Sequence, residues 1–306
     1  MLNPQINFNM KATKSIIMTS KTIAAIVIAM MLGMLVSSCI ACDSTEDFAQ
    51  RDQNGFRSSK RWGGVTEKSL DLKDFTGIET LSSADIIYTQ GDEFKVTVKG
   101  NEKAIEAYDI EVSKKGILTA KSHDPNQSAP TILVCVTAPT LNTIDLTGSG
   151  DIDIRESVNL EGLSIKNVGS GDIYIHDITC KTLNTKSTGS GDIKFGKLST
   201  EEITSSTLGS GDIDFKKAEC TGKVILQTLG SGDIDGRFKA EKVFATSHGS
   251  GDIDIDIDCK EVEIESKGSG EVEVEGYTDV LYRHTQGLGL TTTKELHAKE
   301  IKELPL

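Results

Sequence analysis

The stretch GSGDIDF at residues 209–215 is one copy of a motif that recurs through most of the chain. A Gly-Ser-Gly turn followed by an acid begins at residues 148, 169, 189, 209, 230, 249 and 268, so the copies lie 19 to 21 residues apart. Gly287-Leu288-Gly289 keeps this spacing in degraded form, and we interpret Ser82-Ser83-Ala84-Asp85 as a relaxed copy three periods upstream. A fixed period of about 20 residues is typical of stacked structural units.

Each copy continues as a strict alternation of polar and apolar residues, which is typical of a β-strand with one buried and one solvated face. Alignment of the copies yields two apolar columns that are predicted to fill the interior. The first contains Ile152, Ile173, Ile193, Ile213, Ile234, Ile253 and Val272, and the second contains Leu163, Leu183, Ile203, Val224, Val243 and Val262. The sequence therefore predicts an all-β parallel β-helix over residues 69–295, with coils of about 20 residues that pair at roughly 4.8 Å.

The turn itself suggests two structural roles. Its glycines are expected to supply positive φ at two corners of the coil. Its acids form a predicted ladder of carboxylates, each expected to accept hydrogen bonds from amides of its own turn. The ladder contains Asp151, Asp172, Asp192, Asp212, Asp233, Asp252 and Glu271. A calcium ladder is the alternative, but the nine-residue spacing of calcium-binding repeats is absent, so we predict no metal site.

The N-terminal segment has the pattern of a lipoprotein signal peptide. Three lysines precede an apolar run from Ile23 to Val36, and Ser37-Ser38-Cys39 follows it. This ending resembles the bacterial lipobox, so residues 1–38 are predicted to be removed and Cys39 to carry the lipid that attaches the protein to a membrane. A simple signal peptide and a buried apolar helix are the alternatives. Residues 39–68 are predicted to form a disordered acidic tether, and residues 296–306 a C-terminal tail.

The charge and the motif content exclude several classes of function. The chain has 33 basic and 46 acidic residues and a net charge of -13, which argues against nucleic-acid binding because such binding depends on Lys and Arg. The sequence contains no phosphate-binding loop, dinucleotide fingerprint, zinc-protease motif or serine nucleophile elbow. The repeated acids share one environment, so none is distinguished as a general acid. We predict a protein with no catalytic residues and no cofactor.

The cysteines of the repeat point to packing. Cys180, Cys220 and Cys259 occupy equivalent positions in alternate coils, with Thr200 and Ala240 between them. Equivalent positions two coils apart lie about 10 Å from each other, which is too far for a disulfide. We therefore predict free, buried thiols, and we extend this prediction to Cys135 in another strand.

Three further stretches carry a resemblance to a known family. They are Phe75-Thr76-Gly77-Ile78, then Asp85-Ile86-Ile87-Tyr88-Thr89-Gln90-Gly91, and Thr140-Leu141-Asn142 before the first Gly-Ser-Gly-Asp. With the repeated turns, they make roughly residues 70–295 resemble the head GIN domain family, whose members are regarded as auto-transporter adhesins and are common in Bacteroidota lipoproteins. The chain departs from the family pattern at its C-terminus, where Gly287-Leu288-Gly289 replaces Gly-Ser-Gly.

The resemblance implies a right-handed β-helix that adheres to a surface ligand, either a glycan or a protein. No established catalytic residues come with it. Together with the signal peptide, it predicts a lipid-anchored, non-catalytic outer-membrane lipoprotein of the cell envelope, on either its surface-exposed or its periplasmic face. The alternatives are a polysaccharide-processing β-helix enzyme and a structural envelope protein without a specific ligand.

Overall fold

The computed structural model describes residues 66–124, 131–284 and 289–304, and the predictions for the signal peptide and Cys39 lie outside these ranges. The described chain consists of strands with one short helix, α1 (Glu102–Glu106). In chain order, the strands are β1 (Thr66–Leu70), β2 (Gly77–Thr80), β3 (Asp85–Gln90), β4 (Lys95–Gly100), β5 (Tyr108–Val112), β6 (Ile117–Ser122), β7 (Leu133–Ala138), β8 (Thr143–Leu146), β9 (Ile152–Ile154), β10 (Val158–Asn159), β11 (Gly162–Asn167), β12 (Ile173–Thr179), β13 (Thr182–Ser187), β14 (Ile193–Thr200), β15 (Glu202–Thr207), β16 (Ile213–Cys220), β17 (Lys223–Thr228), β18 (Ile234–Lys239), β19 (Lys242–Ser247), β20 (Ile253–Ser266), β21 (Val272–His284), β22 (Thr291–Thr292) and β23 (Leu296–Leu304).

The repeats stack as a parallel β-solenoid, which confirms the predicted fold. Each of the middle coils contributes one strand to a first wall, directly after its Gly-Ser-Gly turn, and one strand to a second wall. In the last coils, the long strands β20, β21 and β23 each run through both walls. In the first wall, Ile193 of β14 lies opposite Ile173 of β12 and Ile213 of β16. In the second wall, Leu183 of β13 lies opposite Leu163 of β11 and Ile203 of β15. Both predicted columns are buried along their whole length. The hydrophobic core is therefore a set of aliphatic columns that run along the stack.

The first coils do not follow chain order. Strand β2 lies between β6 and β8, and β3 lies between β7 and β9, with all four pairings parallel. The coil made by β6 and β7 therefore sits outside the coil made by β2 and β3. Antiparallel strands cover this end of the stack, because β5 pairs with β6, β4 with β7, and β1 with β4.

This arrangement corrects the position predicted for the relaxed copy at residues 82–85. That copy is three periods upstream in sequence, but it lies directly against the first Gly-Ser-Gly-Asp turn. The amide of Asp151 donates to the Asp85 carboxylate at 3.1 Å. The segment between the two copies builds the cap and the outer coil, so no coil comes between them.

The opposite end of the stack extends beyond the predicted boundary. Strand β23 pairs in parallel with β21, and Leu281 lies opposite Ile301. Residues 296–304, which the sequence placed in a C-terminal tail, therefore form part of the solenoid.

The cysteines divide into two groups. Cys180, Cys220 and Cys259 are free and buried, as predicted, and burial raises the pKa of each thiol. The Cys180 thiol lies 3.7 Å from the Thr200 hydroxyl, so the small side chains of this column pack against one another. The prediction was wrong for Cys135, which is disulfide-bonded. The spacing argument holds only for equivalent positions of the repeat, and Cys135 lies in β7 of the outer coil.

Candidate functional site

The Gly-Ser-Gly turns need glycine for a reason other than the predicted one. Within the described residues, the glycines with positive φ are Gly116 and Gly276, and neither belongs to a Gly-Ser-Gly turn. Instead, a Cβ at Gly209 would lie 2.0 Å from the carbonyl oxygen of Gly189, and a Cβ at Gly211 would lie 2.1 Å from that of Gly191. The expectation of positive φ was therefore wrong. Glycine is required because the backbones of successive turns stack too closely to admit a side chain.

The predicted carboxylate ladder exists as a set of bonds between coils. The Asp212 carboxylate accepts a hydrogen bond from the backbone amide of Asp233 at 2.9 Å, and the same bond recurs up the stack at 2.7–3.1 Å. The ladder begins at the Asp85 carboxylate and ends where the backbone amide of Glu271 donates to the Asp252 carboxylate. We had expected each carboxylate to accept hydrogen bonds from amides of its own turn. Instead, each accepts a bond from an amide of the next coil. Each carboxylate takes the place of the backbone carbonyl that would accept this amide in a regular parallel ladder.

A second polar column supports the turns from inside, and sequence reasoning missed it. The Thr207 hydroxyl donates to the carbonyl of Gly211 at 3.0 Å, and the hydroxyls of Ser247 and Ser266 make the same bond to Gly251 and Gly270. The column is fully or almost fully buried and contains Asn167, Ser187, Thr207, Thr228, Ser247 and Ser266. Its signal in the sequence is a small polar residue two positions before each Gly-Ser-Gly from Gly169 to Gly268, whereas the first turn, at Gly148, has Leu146 in this place.

The outer face beside the ladder is strongly acidic. Asp214, Asp235 and Asp254 lie opposite one another on successive strands of the first wall. Partial burial, followed by the nearby carboxylates of Asp254 and Asp233, raises the pKa of Asp235 to about 6. Within the described ranges, no group of three or more His, Cys, Asp or Glu is arranged to hold a metal ion. The ladder carboxylates already accept amide hydrogens, which accounts for their geometry without a cation.

A groove of about 280 Å³ crosses the ends of the first-wall strands β12, β14 and β16 and the short strand β10. Its residues combine buried aliphatic groups with exposed hydroxyls and charges, and they are Ser157, Val158, Asp177, Ile178, Thr179, Lys197, Leu198, Ser199, Lys217 and Glu219. The Lys197 ammonium lies 3.9 Å from the Asp177 carboxylate, and that of Lys217 lies 2.8 Å from Glu219. The groove thus offers hydrogen-bond donors and acceptors above an apolar floor.

The charges in the groove bear on the chemistry that it can perform. A hydrogen bond from Lys217, reinforced by its charge, lowers the pKa of Glu219. A general acid needs the opposite shift. Sequence reasoning did not find the groove, because Asp177, Lys197 and Lys217 come together only through the stacking of coils. In the sequence they look like ordinary surface charges.

The comparisons with known proteins agree with this fold. The sequence model of the family described as "Putative auto-transporter adhesin, head GIN domain" matches residues 74–237 and 226–303. No curated protein matches the chain significantly. No helix in the described part of the chain has the length and apolar character needed to cross a membrane.

Several solved structures are similar. A "putative adhesin" from Bacteroides fragilis is 24% identical with a TM-score of 0.63, and the match covers 69% of this chain and 96% of that one. Another adhesin of the same description, from Parabacteroides distasonis, is 19% identical with a TM-score of 0.67, over 76% of this chain and 97% of that one. A third structure, described as a "putative lipid binding protein" from Parabacteroides distasonis, is also 19% identical, with a TM-score of 0.63 and the same coverage.

These low identities establish similarity of fold alone. The family match is stronger, because it spans most of the chain and includes all of the Gly-Ser-Gly turns. The chain therefore belongs to the family described as "Putative auto-transporter adhesin, head GIN domain".

Proposed function

We propose that this protein is a lipid-anchored, non-catalytic adhesion protein of the cell envelope that binds a surface ligand in the groove over β12, β14 and β16. The observation that carries the proposal is the groove itself, in which hydroxyls and charges of both signs stand on four stacked coils. Parallel strands repeat at about 4.8 Å, so equivalent side chains are presented at regular intervals. Such an array suits an extended polar ligand.

A glycan fits this chemistry best. Sugars offer many hydroxyls, and Ser157, Ser199, Asp177 and Lys197 supply both donors and acceptors for them. A buried acyl chain would need an apolar cavity, and the charged rim of this groove does not favour one. The name of the lipid-binding neighbour therefore adds no second candidate function here.

The enzymatic alternative is less well supported. The paired lysines keep the groove acids in ion pairs, and the lowered pKa of Glu219 opposes proton donation to a leaving group. We expect no release of reducing ends when the protein is incubated with the polysaccharides that it binds.

A glycan array probed with the purified full chain tests the proposal. We expect binding to a restricted set of glycans, and a loss of about 10- to 150-fold in affinity when Lys197→Ala removes one charged hydrogen-bond donor, since such a bond contributes about 1.5–3 kcal/mol. The matched control is Lys223→Ala, because Lys223 lies on the second wall in a similar exposed ion pair. An equal loss in both variants, or no glycan binding at all, would contradict the assignment of the groove.

A further inference from the structure

The two ends of the solenoid differ in how their strand edges are covered. At the outer-coil end, antiparallel β4 and β5 pair with the edges of β7 and β6. At the other end, β23 pairs with β21 on one side. Among residues 66–124, 131–284 and 289–304, no strand pairs with its other side. An uncovered edge of this length is a template for pairing with another strand.

The apolar columns also continue into this end without a cover. Val262 and Leu281 are buried, and the next member of their column is Ile301, which is 58% exposed. Leu290, which is 66% exposed, lies at the start of the same last coil. These two side chains are the most exposed of the large hydrophobic residues in the described chain. A partner at this end would cover both.

The backbone of β23 presents its free groups at Ile301. In the second wall, the amide of Ser164 bonds back to Asn142 of the preceding coil. The strand register makes Lys302 the residue of the last coil that is equivalent to Ser164, so the amide of Lys302 also faces the preceding coil. Successive residues of a strand bond to opposite sides, so the amide and carbonyl of Ile301 point away from β21.

We propose that two copies of this chain associate end to end, with β23 of each copy paired antiparallel across a two-fold axis at Ile301. This register places Glu300 of one copy opposite Lys302 of the other, twice. A shift by two residues in either direction would instead oppose Glu300 with Glu300, or Lys302 with Lys302. Opposite charges across strands are favourable and like charges are unfavourable, so the charges select the Ile301-centred register.

The proposed antiparallel pair also directs its apolar side chains towards the hydrophobic core. Directly opposed residues of an antiparallel pair share a face, so both Ile301 side chains would point into the joined interior. The two sheets would then continue through the interface, and the aliphatic columns of one copy would meet those of the other. A symmetric dimer of this kind closes on itself and does not propagate into a fibre.

Cysteine trapping in the detergent-solubilised full chain tests both the partner and the register. In the proposed pair, the two Ile301 Cα atoms are about 5.5 Å apart, within the range of a disulfide. The two Glu300 Cα atoms are about 8 Å apart, beyond that range. We expect Ile301→Cys to yield a covalent dimer on non-reducing gels, and Glu300→Cys and Lys302→Cys to yield no more than the unsubstituted chain.

Sedimentation equilibrium supplies an independent measurement. Glu300→Lys should raise the dimer dissociation constant roughly tenfold by opposing two pairs of like charges, and the swap Glu300→Lys with Lys302→Glu should restore it. A chain that stays monomeric at tens of micromolar would overturn the proposal and leave a foreign strand as the occupant of this edge. Trapping at position 300 or 302 in preference to 301 would overturn the register.

Discussion

The residue type that fits at each position of the repeat depends on the atoms of the adjacent coils, directly above and below it in the stack. At Gly211, the space for a Cβ is taken by the carbonyl oxygen of Gly191, 20 residues earlier. At Ile213, the side chain is fully buried between Ile193 and Ile234. One position further on, Asp214 points to the acidic outer face. Neighbouring residues therefore face very different constraints.

The contrast between Ile213 and Asp214 gives the first prediction. Ile213→Asp would place an unpaired charge among aliphatic neighbours, and we expect a loss of several kcal/mol in the free energy of unfolding. Asp214→Ala should change it little, because this side chain lies on the outer face. Thermal and urea unfolding of the two variants check the assignment. Equal effects would mean that the faces of β16 are assigned wrongly.

Asp235 gives a prediction about pH. Its pKa is raised to about 6 in the folded protein, above the ordinary value of 3.8. The stability that protonation contributes is therefore fully present below about pH 4 and is lost as the pH rises through about 6. We expect Asp235→Asn to melt at a higher temperature than the unsubstituted chain at pH 7.5, and at nearly the same temperature at pH 3.5.

Asp279 serves as the control for Asp235, because its pKa is shifted in the opposite direction. Hydrogen bonds from Lys299 and Tyr277 lower the pKa of Asp279. Its contribution is present above the ordinary pKa and is lost as the pH falls, so Asp279→Asn should lower the melting temperature at pH 7.5. If both variants shifted in the same direction at neutral pH, local charge would not be the cause.

Strands in this protein are joined by side chains as well as by the backbone. The carboxylate ladder bonds each turn to the next, and the buried hydroxyls of Thr207, Ser247 and Ser266 hold the turn carbonyls from inside. Together, these two columns satisfy backbone groups at the bend, where regular strand pairing stops. The repeated acid is therefore a structural element of the turn.

The ladder predicts different effects for two substitutions of one residue. Asp212→Asn keeps an oxygen that can accept the amide of Asp233 and removes one charge from an acidic column, so we expect equal or slightly higher stability. Asp212→Ala leaves that amide without its acceptor, which should cost about 1–3 kcal/mol. Urea unfolding distinguishes the two. A destabilisation by Asn as large as that by Ala would show that the charge, and not the acceptor, matters.

The whole molecule combines a capped end, a stack of repeats and an open end. Because each coil contacts mainly its neighbours, the stability of such a stack is close to a sum of local terms. The cap formed by β1, β4 and β5 protects one end, and the proposed pairing of β23 would protect the other. The groove lies between the two ends, where both neighbouring coils are present and its side chains are held in place.

Membrane anchoring is a prediction about the whole protein, and Cys39 is its predicted site. We expect the mature chain to begin at Cys39 and to carry acyl chains, because the apolar run ends in Val36-Ser37-Ser38-Cys39. Two or three acyl chains suffice for stable attachment, since each buried CH₂ contributes about 0.8 kcal/mol. Mass spectrometry of the protein isolated from membranes checks this. An unacylated N-terminus downstream of Cys39 would contradict it, and Cys39→Ala should release the protein from the membrane fraction.

The sequence predicted the parts of the fold that repeat locally. Alternation along each copy identified Ile152 to Val272 as a buried column, and equivalent spacing identified Cys180, Cys220 and Cys259 as free thiols. The same reasoning failed where the chain leaves the repeat. Cys135 lies in an outer coil to which the spacing rule does not apply, and it is disulfide-bonded.

Period and alternation are encoded in consecutive residues, so the all-β class, the coil length and the inward columns followed from the chain alone. The order of the coils did not, because the contact between Asp85 and Asp151 joins residues 66 positions apart and depends on where the intervening strands go. The groove, the stacked carbonyls that require glycine and the open edge of β23 likewise exist only between coils. These features depend on which backbone lies next to which, and local sequence patterns do not contain that information.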